Sequence, residues 1–226
     1  MNNPYIYDLN IQRIYSIIHN LNKVNDINYI LDLGCRDGSE AIQFSCAFPN
    51  AKIISVEANP NQIETIKSNI KNYPNIQIFN FGVSNKEEEL DFNISSTINI
   101  GNSSFLKRTG DYDDHEKMSF HTPIKIKTKK LDNFLKELQI PQVDILWMDI
   151  QGFEVKAIEG LGDYIKNVKI LHSEVAYKEM YKDQLLFDKF DFCMLENGFH
   201  CIYRDYKHGD FWGDSIYLNS QKCIIQ

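Results

Sequence analysis

The chain has 226 residues, of which 43% are hydrophobic and 24% charged, and this composition favours one globular α/β domain over a globally disordered chain. A formal charge of −7 without a clustered basic patch gives no electrostatic reason to bind nucleic acid. Five cysteines without a CxxC pair favour free thiols in a reducing compartment and so predict the cytoplasm, and no stretch approaches the roughly 18 apolar residues of a membrane span.

The first half of the chain alternates predicted helices and strands. Apolar residues at helical spacing predict an amphipathic helix from Leu9 to Leu21, which either caps a pocket or, more simply, covers the core. This helix belongs to a predicted N-terminal helical extension, residues 1–28, that precedes a single domain of residues 29–226. Strands are predicted at Tyr29–Leu33, Lys52–Glu57 and Ile76–Phe81, and helices at Ser39–Phe48 and Pro60–Asn72. This alternation predicts right-handed crossovers and a parallel sheet that is covered on both faces.

The second half begins with a long loop and then resumes the alternation. Residues 95–120 are rich in Ser, Asn, Gly and Asp without a lasting period, and so long a loop in a compact domain is often functional. The elements predicted after it are strands at Ile124–Thr128, Asp144–Asp149, Val168–Val175, Phe199–Tyr203 and Ser215–Leu218, and helices at Leu131–Leu138, Phe153–Gly160 and Gln184–Glu196.

A glycine turn follows the first predicted strand. It runs from Asp32 to Gly38 and has glycines at positions 34 and 38. Such a turn lets the backbone approach a ligand closely, and the N–H groups of the helix behind it suit a carboxylate. Glu57 ends the next strand, roughly 20 residues after the turn, where an acidic side chain can accept the hydroxyl groups of a ribose. Together the two signals predict a site for a nucleoside-bearing cofactor.

Two cofactors compete for this site, a dinucleotide and S-adenosylmethionine. The dinucleotide pattern GxGxxG needs a glycine where Arg36 stands. The DxGxxxG pattern of Asp32, Gly34 and Gly38 fits methyltransferases better. The sequence therefore predicts S-adenosylmethionine.

Several stretches, in order along the chain, resemble the FkbM family of class I S-adenosylmethionine-dependent methyltransferases. They are Ile30–Gly38, Ser55–Pro60, Asn80–Ser84, Lys130–Leu135 and Met148–Glu154, and the resemblance spans roughly residues 28–218. It implies an α/β, Rossmann-like class I methyltransferase fold. In that fold a mostly parallel seven-stranded sheet carries helices on both faces and forms a three-layer sandwich.

The resemblance also implies how the cofactor is held. The loop around Gly34 would hold the methionine moiety, Glu57 the ribose, and the segment with Gly82 and Val83 would lie beside the adenine. The cofactor-binding residues predicted in this way are Asp32, Gly34, Cys35, Arg36, Asp37, Gly38, Glu57, Ala58, Gly82, Val83 and Asp149.

Methyl transfer to an alcohol needs positioning and a group that takes the alcohol's proton. Asp149, at the carboxyl end of an apolar strand, is the leading candidate, and capping of the following helix is the competing interpretation. His172 and Glu174 share one face of the next strand and complete the predicted catalytic set, with His200 and His208 as later alternatives. A divalent metal held by Asp149 and Glu174 is an alternative that the sequence does not favour, so no metal site is predicted.

The chain departs from the family pattern near this candidate. The family usually has two acids separated by one residue and a lysine before the first, whereas this chain has Met148 and Gln151. Glutamine can hydrogen-bond but cannot accept a proton at neutral pH. Glu154 keeps the family's glutamate, in a first helical turn where acids are favoured anyway.

The resemblance implies O-methylation of a hydroxyl on a sugar, a glycan precursor or a similar small metabolite. The predicted partner is accordingly a small-molecule or glycan acceptor, with no nucleic acid and with the oligomeric state left open. The alternatives are a methyltransferase acting on nitrogen or a macromolecule, and a non-catalytic S-adenosylmethionine-binding partner protein. An NAD-dependent reductase is less favoured, although Tyr203 and Lys207 have Tyr-x-x-x-Lys spacing.

Overall fold

The computed structural model describes residues 6–95, 100–109, 120–207 and 209–222. Within this part of the chain there are ten strands and six α-helices. The strands are β1 (Tyr29–Leu33), β2 (Lys52–Glu57), β3 (Ile76–Asn80), β4 (Gly82–Ser84), β5 (Glu89–Phe92), β6 (Ile124–Lys130), β7 (Ile145–Met148), β8 (Ile170–Ala176), β9 (Phe199–Arg204) and β10 (Trp212–Asn219). The helices are α1 (Leu9–Asn20), α2 (Ser39–Ala47), α3 (Ile63–Ile70), α4 (Leu131–Glu137), α5 (Glu154–Leu161) and α6 (Phe187–Glu196).

Seven of these strands form one sheet in the order β3-β2-β1-β7-β8-β10-β9. The pairs from β3 to β8 are parallel, and β10 is antiparallel to both of its neighbours. The chain begins in the middle at β1, adds strands on one side, and then returns to add β7 on the other side. The switch point therefore lies between β1 and β7, at whose carboxyl ends ligands of open α/β sheets bind.

Both faces of the sheet are covered, so the molecule has three layers. Ile30 and Ile145 pack with α1, α2 and α3 in one buried cluster, whereas Leu31 and Leu146 pack with α4, α5 and α6 in another. The alternation along β1 and β7 sends neighbouring residues to opposite faces, and both faces are apolar because both are covered. Truncating a fully buried leucine such as Leu31 to alanine costs about 2–5 kcal/mol in cores of this kind. The predicted fold class is confirmed.

Helix α1 covers the core and also reaches the edge of the sheet at which the parallel strands have their carboxyl ends. Ile14 and Ile18 lie in the cluster with α2, while the Asp8 side chain caps the helix by accepting the N–H groups of Asn10 at 2.8 Å and Ile11 at 3.0 Å. Asn10 then donates to Asp214 on β10 at 2.8 Å. The division into an extension of residues 1–28 and a domain of residues 29–226 stays a prediction, although this helix packs on the common core.

A second, smaller sheet lies beside the carboxyl end of β3. Strand β6 pairs parallel with β4 and antiparallel with β5. The sequence predicted β6 but not that it leaves the main sheet, and it did not predict β4 or β5. The predicted loop, residues 95–120, falls between β5 and β6, and its residues 96–99 and 110–119 lie outside the described residues.

Two smaller findings concern the cysteines and membrane spans. Cys35, Cys193 and Cys201 are free thiols, and Cys223 lies outside the described residues. Of the helices in the described part, none is long and apolar enough to span a membrane.

Candidate active site

The glycine turn after β1 is held against two neighbouring strand ends. Gly34 has φ +82° and donates its N–H to the carbonyl of Val56 at 2.9 Å. A Cβ at position 34 would overlap with the carbonyl oxygen of Asp149. Both the left-handed backbone and this close approach require glycine, because any side chain would push β1 and β7 apart at their carboxyl ends.

Glu57 ties the end of β2 to the same turn. Its Oε2 accepts the N–H of Arg36 at 2.9 Å, and its Oε1 accepts the N–H of Asn59 at 2.7 Å. The side chain is only 8% exposed, and burial raises its pKa to about 7 although these backbone donors act in the other direction. Each carboxylate oxygen has two lone pairs, so both oxygens keep the capacity to accept a hydroxyl group from a ligand.

A cavity, here called the nucleoside cavity, opens beside Glu57. It is bounded by strand ends, by the turn after β2 and by residues of the loop after β5. The lining residues are Gly34, Arg36, Val56, Glu57, Ala58, Asn59, Gln62, Phe81, Val83, Phe92, Gly101, Ser103, Phe105, Asp149, Ile150, Gln151 and Phe153. Apolar walls together with the carboxyl groups of Glu57 and Asp149 suit a ligand that has a flat ring and a polyhydroxylated arm.

Phe105 forms the wall that the loop contributes. Its ring centroid lies 4.8 Å from that of Phe92 and 5.1 Å from that of Phe153. Gly82 makes room for it, because a Cβ at position 82 would overlap with the Phe105 ring. The absence of a side chain at position 82 therefore leaves no gap in the wall, because the Phe105 ring fills that space.

A second depression, the polar cleft, adjoins the nucleoside cavity. Its lining is mostly polar and charged, and it includes Asp8, Asn10, Gly34, Arg36, Glu40, Trp147, Asp149, His172, Glu174, Lys207, Trp212 and Asp214. Gly34, Arg36 and Asp149 line both spaces. The three predicted catalytic residues are thus brought together around one cleft.

Asp149 lies where the two spaces meet, and its surface is exposed to them. Its Oδ1 accepts the side-chain amide of Gln151 at 2.7 Å, and the same amide nitrogen lies 3.2 Å from Oε1 of Glu174. The loss of hydration inside the cleft raises the pKa of Asp149, and it raises the pKa of Glu174 well above the usual range, with the charge on Asp149 adding to the effect on Glu174.

His172 lies deeper in the polar cleft. Its ring stacks on Trp147 with a centroid distance of 3.6 Å, and its Nε2 is 3.4 Å from Oδ1 of Asp214, which is too long and poorly aligned for a strong hydrogen bond. Burial alone would raise the pKa of Asp214, but His172 and Lys207 lower it below its usual range. Its position next to Asp214 and 1% exposure place His172 behind the carboxylates that face the cleft.

The competing interpretation for Asp149, capping of the following helix, is not what the structure shows, because α5 has Phe153 at its N-cap and no side-chain cap hydrogen bond. The buried Oε1 of Glu154 accepts the N–H groups of Ile150 at 3.2 Å and Gly152 at 3.3 Å, and burial raises its pKa to about 7. Glu154 therefore fixes the turn between β7 and α5. Asp149 is left free to face the cleft.

Several residues of the predicted cofactor set lie outside the lining of both spaces, and their cofactor roles stay predictions. Asp32 is fully buried beneath the turn and accepts the Ser55 hydroxyl at 2.9 Å, and Cys35 is also buried. Asp37 accepts the N–H of Ser39 at 3.1 Å and so caps α2 itself. Gly38 and Gly82 also lie outside the lining of both spaces.

Sequence reasoning missed Asn59, Gln62, Phe92, Phe105 and Phe153 in the nucleoside cavity. The composition of residues 95–120 pointed to a functional loop, but no pattern singled out Phe105. His200 is exposed on β9, away from the site, and His208 lies outside the described residues. Within the described ranges no group of three or more His, Cys, Asp and Glu side chains is placed to hold a metal ion.

Two solved structures are similar to this chain in fold. Fibrillarin from Aeropyrum pernix, described with natively bound S-adenosyl-L-methionine, superposes with a TM-score of 0.51 at 10% identity, covering 92% of this chain and 74% of that one. A proposed O-methyltransferase from Klebsiella pneumoniae gives a TM-score of 0.54 at 8% identity, covering 96% and 83%. The fold is therefore that of the Rossmann-like class I methyltransferases.

The chain belongs to a particular family within that class. The family model described as methyltransferase FkbM domain matches residues 32–201, well over half of the chain, so this protein is a member of the FkbM methyltransferase family. The relative 2-O-methyltransferase NoeI, from Sinorhizobium fredii (strain NBRC 101917 / NGR234), is 26% identical over 161 residues. That match covers 69% of this chain and 66% of the relative, slightly less than two thirds of its length.

Proposed function

We propose that this chain is an S-adenosylmethionine-dependent O-methyltransferase that methylates a hydroxyl of a sugar, a glycan precursor or another small hydroxylated acceptor. One observation carries the proposal: an apolar nucleoside cavity that ends at Glu57 meets a polar cleft at the carboxylate of Asp149. Membership of the FkbM family and the name of the 26% identical relative support O-methylation.

The nucleoside cavity fits the adenosine part of S-adenosylmethionine. Glu57 has lone pairs left for two ribose hydroxyls, and Phe81, Val83 and Phe105 provide flat apolar surface for a purine. The methionine part would extend past Gly34 toward the polar cleft. The cofactor supplies a methyl group on a positively charged sulfur, and the carboxylates that line the cleft favour a cation.

The chain's own residues would act on the acceptor hydroxyl. Asp149 faces the cleft and takes the hydroxyl proton, a role that its raised pKa assists because it makes the carboxylate a better proton acceptor. Glu174 lines the same cleft and orients the hydroxylated acceptor, and His172 packs behind these carboxylates. Trp212 at the cleft offers an aromatic face against which a sugar ring can pack.

Calorimetric titration with S-adenosylhomocysteine and, separately, with NADH tests the cofactor. Micromolar binding of S-adenosylhomocysteine alone supports the proposal, and binding of NADH alone contradicts it.

Mass spectrometry of products from a panel of sugars, amines and peptides then tests the acceptor. Methylated hydroxyls support O-methylation, methylated amines point to the nitrogen alternative, and tight cofactor binding without product on any acceptor favours the non-catalytic alternative.

We also propose that the acceptor is a small molecule or glycan and that the protein works in the cytoplasm. Cys35, Cys193 and Cys201 are free thiols, which suits a reducing compartment. Fractionation of the source cells with an antibody against the protein tests the location, and recovery outside the cytoplasm would contradict it.

A further inference from the structure

Gln151 occupies a position between the two spaces that the proposed reaction leaves without a role. The side chain is 7% exposed and cannot take a proton itself. Its amide nitrogen lies 2.7 Å from Oδ1 of Asp149 and 3.2 Å from Oε1 of Glu174. An amide NH₂ group has two hydrogens, so it can donate one to each carboxylate and hold the two acids side by side.

The orientation of this amide is fixed from its other end. Tyr181 is fully buried, and its hydroxyl donates to Oε1 of Gln151 at 2.7 Å while Arg108 donates to the tyrosine oxygen at 3.0 Å. Burial raises the pKa of Tyr181 far above its usual range, so the hydroxyl keeps its proton. Because Oε1 must face this permanent donor, the NH₂ group must face the two carboxylates.

The backbone of Gln151 is tied to the loop that covers the nucleoside cavity. Ser104 donates its hydroxyl to the carbonyl of Gln151 at 2.7 Å, next to the wall residue Phe105. The hydroxyl of Tyr181 also lies 3.1 Å from the carbonyl of Asn102 in the same loop. Gln151 is therefore held by the loop on one side and holds the cleft carboxylates on the other.

We propose that Gln151 is a positioning residue whose amide, oriented by Tyr181, clamps Asp149 and Glu174 and sets the direction in which Asp149 faces the acceptor. This inference rests on the proposed function. A clamp is needed because two like charges this close repel, and each would otherwise turn away or take a proton. With Oδ1 of Asp149 engaged by the amide, Oδ2 is the oxygen directed at the acceptor hydroxyl.

The variant that tests the clamp is Gln151→Glu, which keeps the size but replaces the donor with a carboxyl group. An ionised glutamate would face two carboxylates, and a protonated one has a single hydrogen for two acceptors. The charged and titratable groups around position 151 come from the turns after β1, β2 and β7, from the start of α5, from β8 and the segment after it, from β10 and the segment before it, and from the covering loop. They are Arg36, Glu57, Asp149, Glu154, His172, Glu174, Tyr181, Lys207, Asp214 and Arg108.

We expect Gln151→Glu to lower kcat by roughly tenfold or more at pH 8, with partial recovery toward pH 6 as the new carboxyl gains a proton. Binding of S-adenosylhomocysteine should stay near the wild-type value. Tyr181→Phe removes only the orienting hydroxyl and should lower kcat by a few-fold in the same way.

Gln142→Glu is the matched control. Gln142 donates to Oδ1 of the buried Asp144 at 2.8 Å, at the opposite end of β7 from the site, so the same chemical change faces the same kind of partner. This variant should keep the wild-type kcat and pH profile. Equal kcat in Gln151→Glu and wild type at every pH would overturn the clamp, as would an equal loss in both Glu variants.

Melting temperatures between pH 5.5 and 8.5 test the same geometry without turnover. The difference between wild type and Gln151→Glu should widen as pH rises, since the new carboxylate then faces two others. A difference that stays constant with pH overturns the clamp. If wild type methylates none of the acceptors while this difference widens, the proposed function has failed and the geometry of the clamp stands.

Discussion

At the scale of single residues, the Glu57 carboxylate accepts backbone hydrogen bonds and also lines the nucleoside cavity. It accepts backbone N–H groups from Arg36 and Asn59, and so joins the turn after β1 to the turn after β2. Its remaining lone pairs face the nucleoside cavity. Burial makes the charged form costly, which is a common property of groups that bind a ligand in a protected site.

We therefore expect Glu57→Ala to raise the dissociation constant for S-adenosylhomocysteine by roughly 10- to 100-fold, because two ribose contacts and the support of the glycine turn are lost together. Isothermal titration calorimetry measures this change. Glu64→Ala is the control, since Glu64 is an exposed acid on α3 whose only described ion pair is with Lys67. Equal affinity of wild type and Glu57→Ala would remove Glu57 from the site.

Asp149 should separate binding from turnover. Asn keeps the shape and the contact with the Gln151 amide region but cannot take a proton, so Asp149→Asn should lose about 100-fold or more in product formation. Titration with S-adenosylhomocysteine should give an affinity close to that of wild type. Product formation at the full wild-type rate would show that another group accepts the proton.

At the scale of elements, the loop after β5 completes the cavity by inserting one aromatic ring. Phe105 fits beside Phe92 and Phe153 only because position 82 at the start of β4 has no side chain. The small sheet therefore takes part in positioning the loop, together with the contacts of Ser104 with Gln151 and of Asn102 with Tyr181. The contribution of the loop to ligand binding depends on how closely the loop and the small sheet pack.

Gly82→Ala tests this dependence. The added methyl group would overlap with the far end of the Phe105 ring, which can move, so we expect the ring to shift into the cavity and S-adenosylhomocysteine to bind several-fold more weakly. The melting temperature should fall only slightly. The double variant Gly82→Ala with Phe105→Leu has room for the methyl group, and it should bind better than the single variant. Failure of the second substitution to improve binding would contradict this packing argument.

The sequence predicted most elements of the main sheet because both faces of its central strands are covered. Strands β1, β2 and β7 are short apolar runs that end at glycine or acidic residues, and those ends lie at the candidate site. Strand β6 alternates Ile with Lys because only one of its faces is buried. That pattern predicts a strand but does not say which sheet it joins, so its place in the small sheet could not be predicted.

Residues of the candidate site could be predicted from the sequence where a local pattern marks them. They could not be predicted where they depend on contacts between segments that are far apart in the sequence. Gly34, Glu57 and Asp149 each end a predicted strand, and parallel strands bring such ends together at one edge. Phe105 reaches the cavity from an irregular loop, and the Gln151 amide reaches Glu174 across 23 positions of sequence. No local period marks either contact, because both depend on how distant segments pack.

At the scale of the whole molecule, an acidic chain gathers carboxylates at one edge of its sheet. Asp32, Glu40, Glu57, Asp149 and Glu174 lie around the turn and the polar cleft, and burial is the main reason that the pKa of each is raised. Such a group binds its proton more tightly in the folded chain than in the unfolded chain. Ionisation of these carboxyl groups therefore lowers the stability of the folded state without ligand, although the proposed cofactor needs their negative charge.

The sign of this effect predicts how stability depends on pH. For Glu57 and Glu154 the folded pKa is about 7, above the ordinary value of 4.5, so between these values the folded state holds more protons than the unfolded state. The free energy of unfolding must then fall as pH rises from about 4.5 to about 7. We expect the melting temperature of the ligand-free protein to drop by roughly 5 °C or more between pH 5.5 and pH 8.

Scanning calorimetry at both pH values measures this drop, and the double variant Glu57→Gln with Glu154→Gln should reduce it because two of the titrating groups are gone. The net charge, −7 at pH 7, also becomes more negative as pH rises, and repulsion between exposed acidic side chains then lowers stability as well. The comparison is therefore repeated at high salt, which screens exposed charges but acts little on buried ones. A drop that persists in high salt and shrinks in the double variant assigns the loss to these buried carboxyls. A melting temperature that rises from pH 5.5 to pH 8 would mean that the carboxyls are ionised at no cost in the fold, and the raised pKa values at the site edge would be wrong.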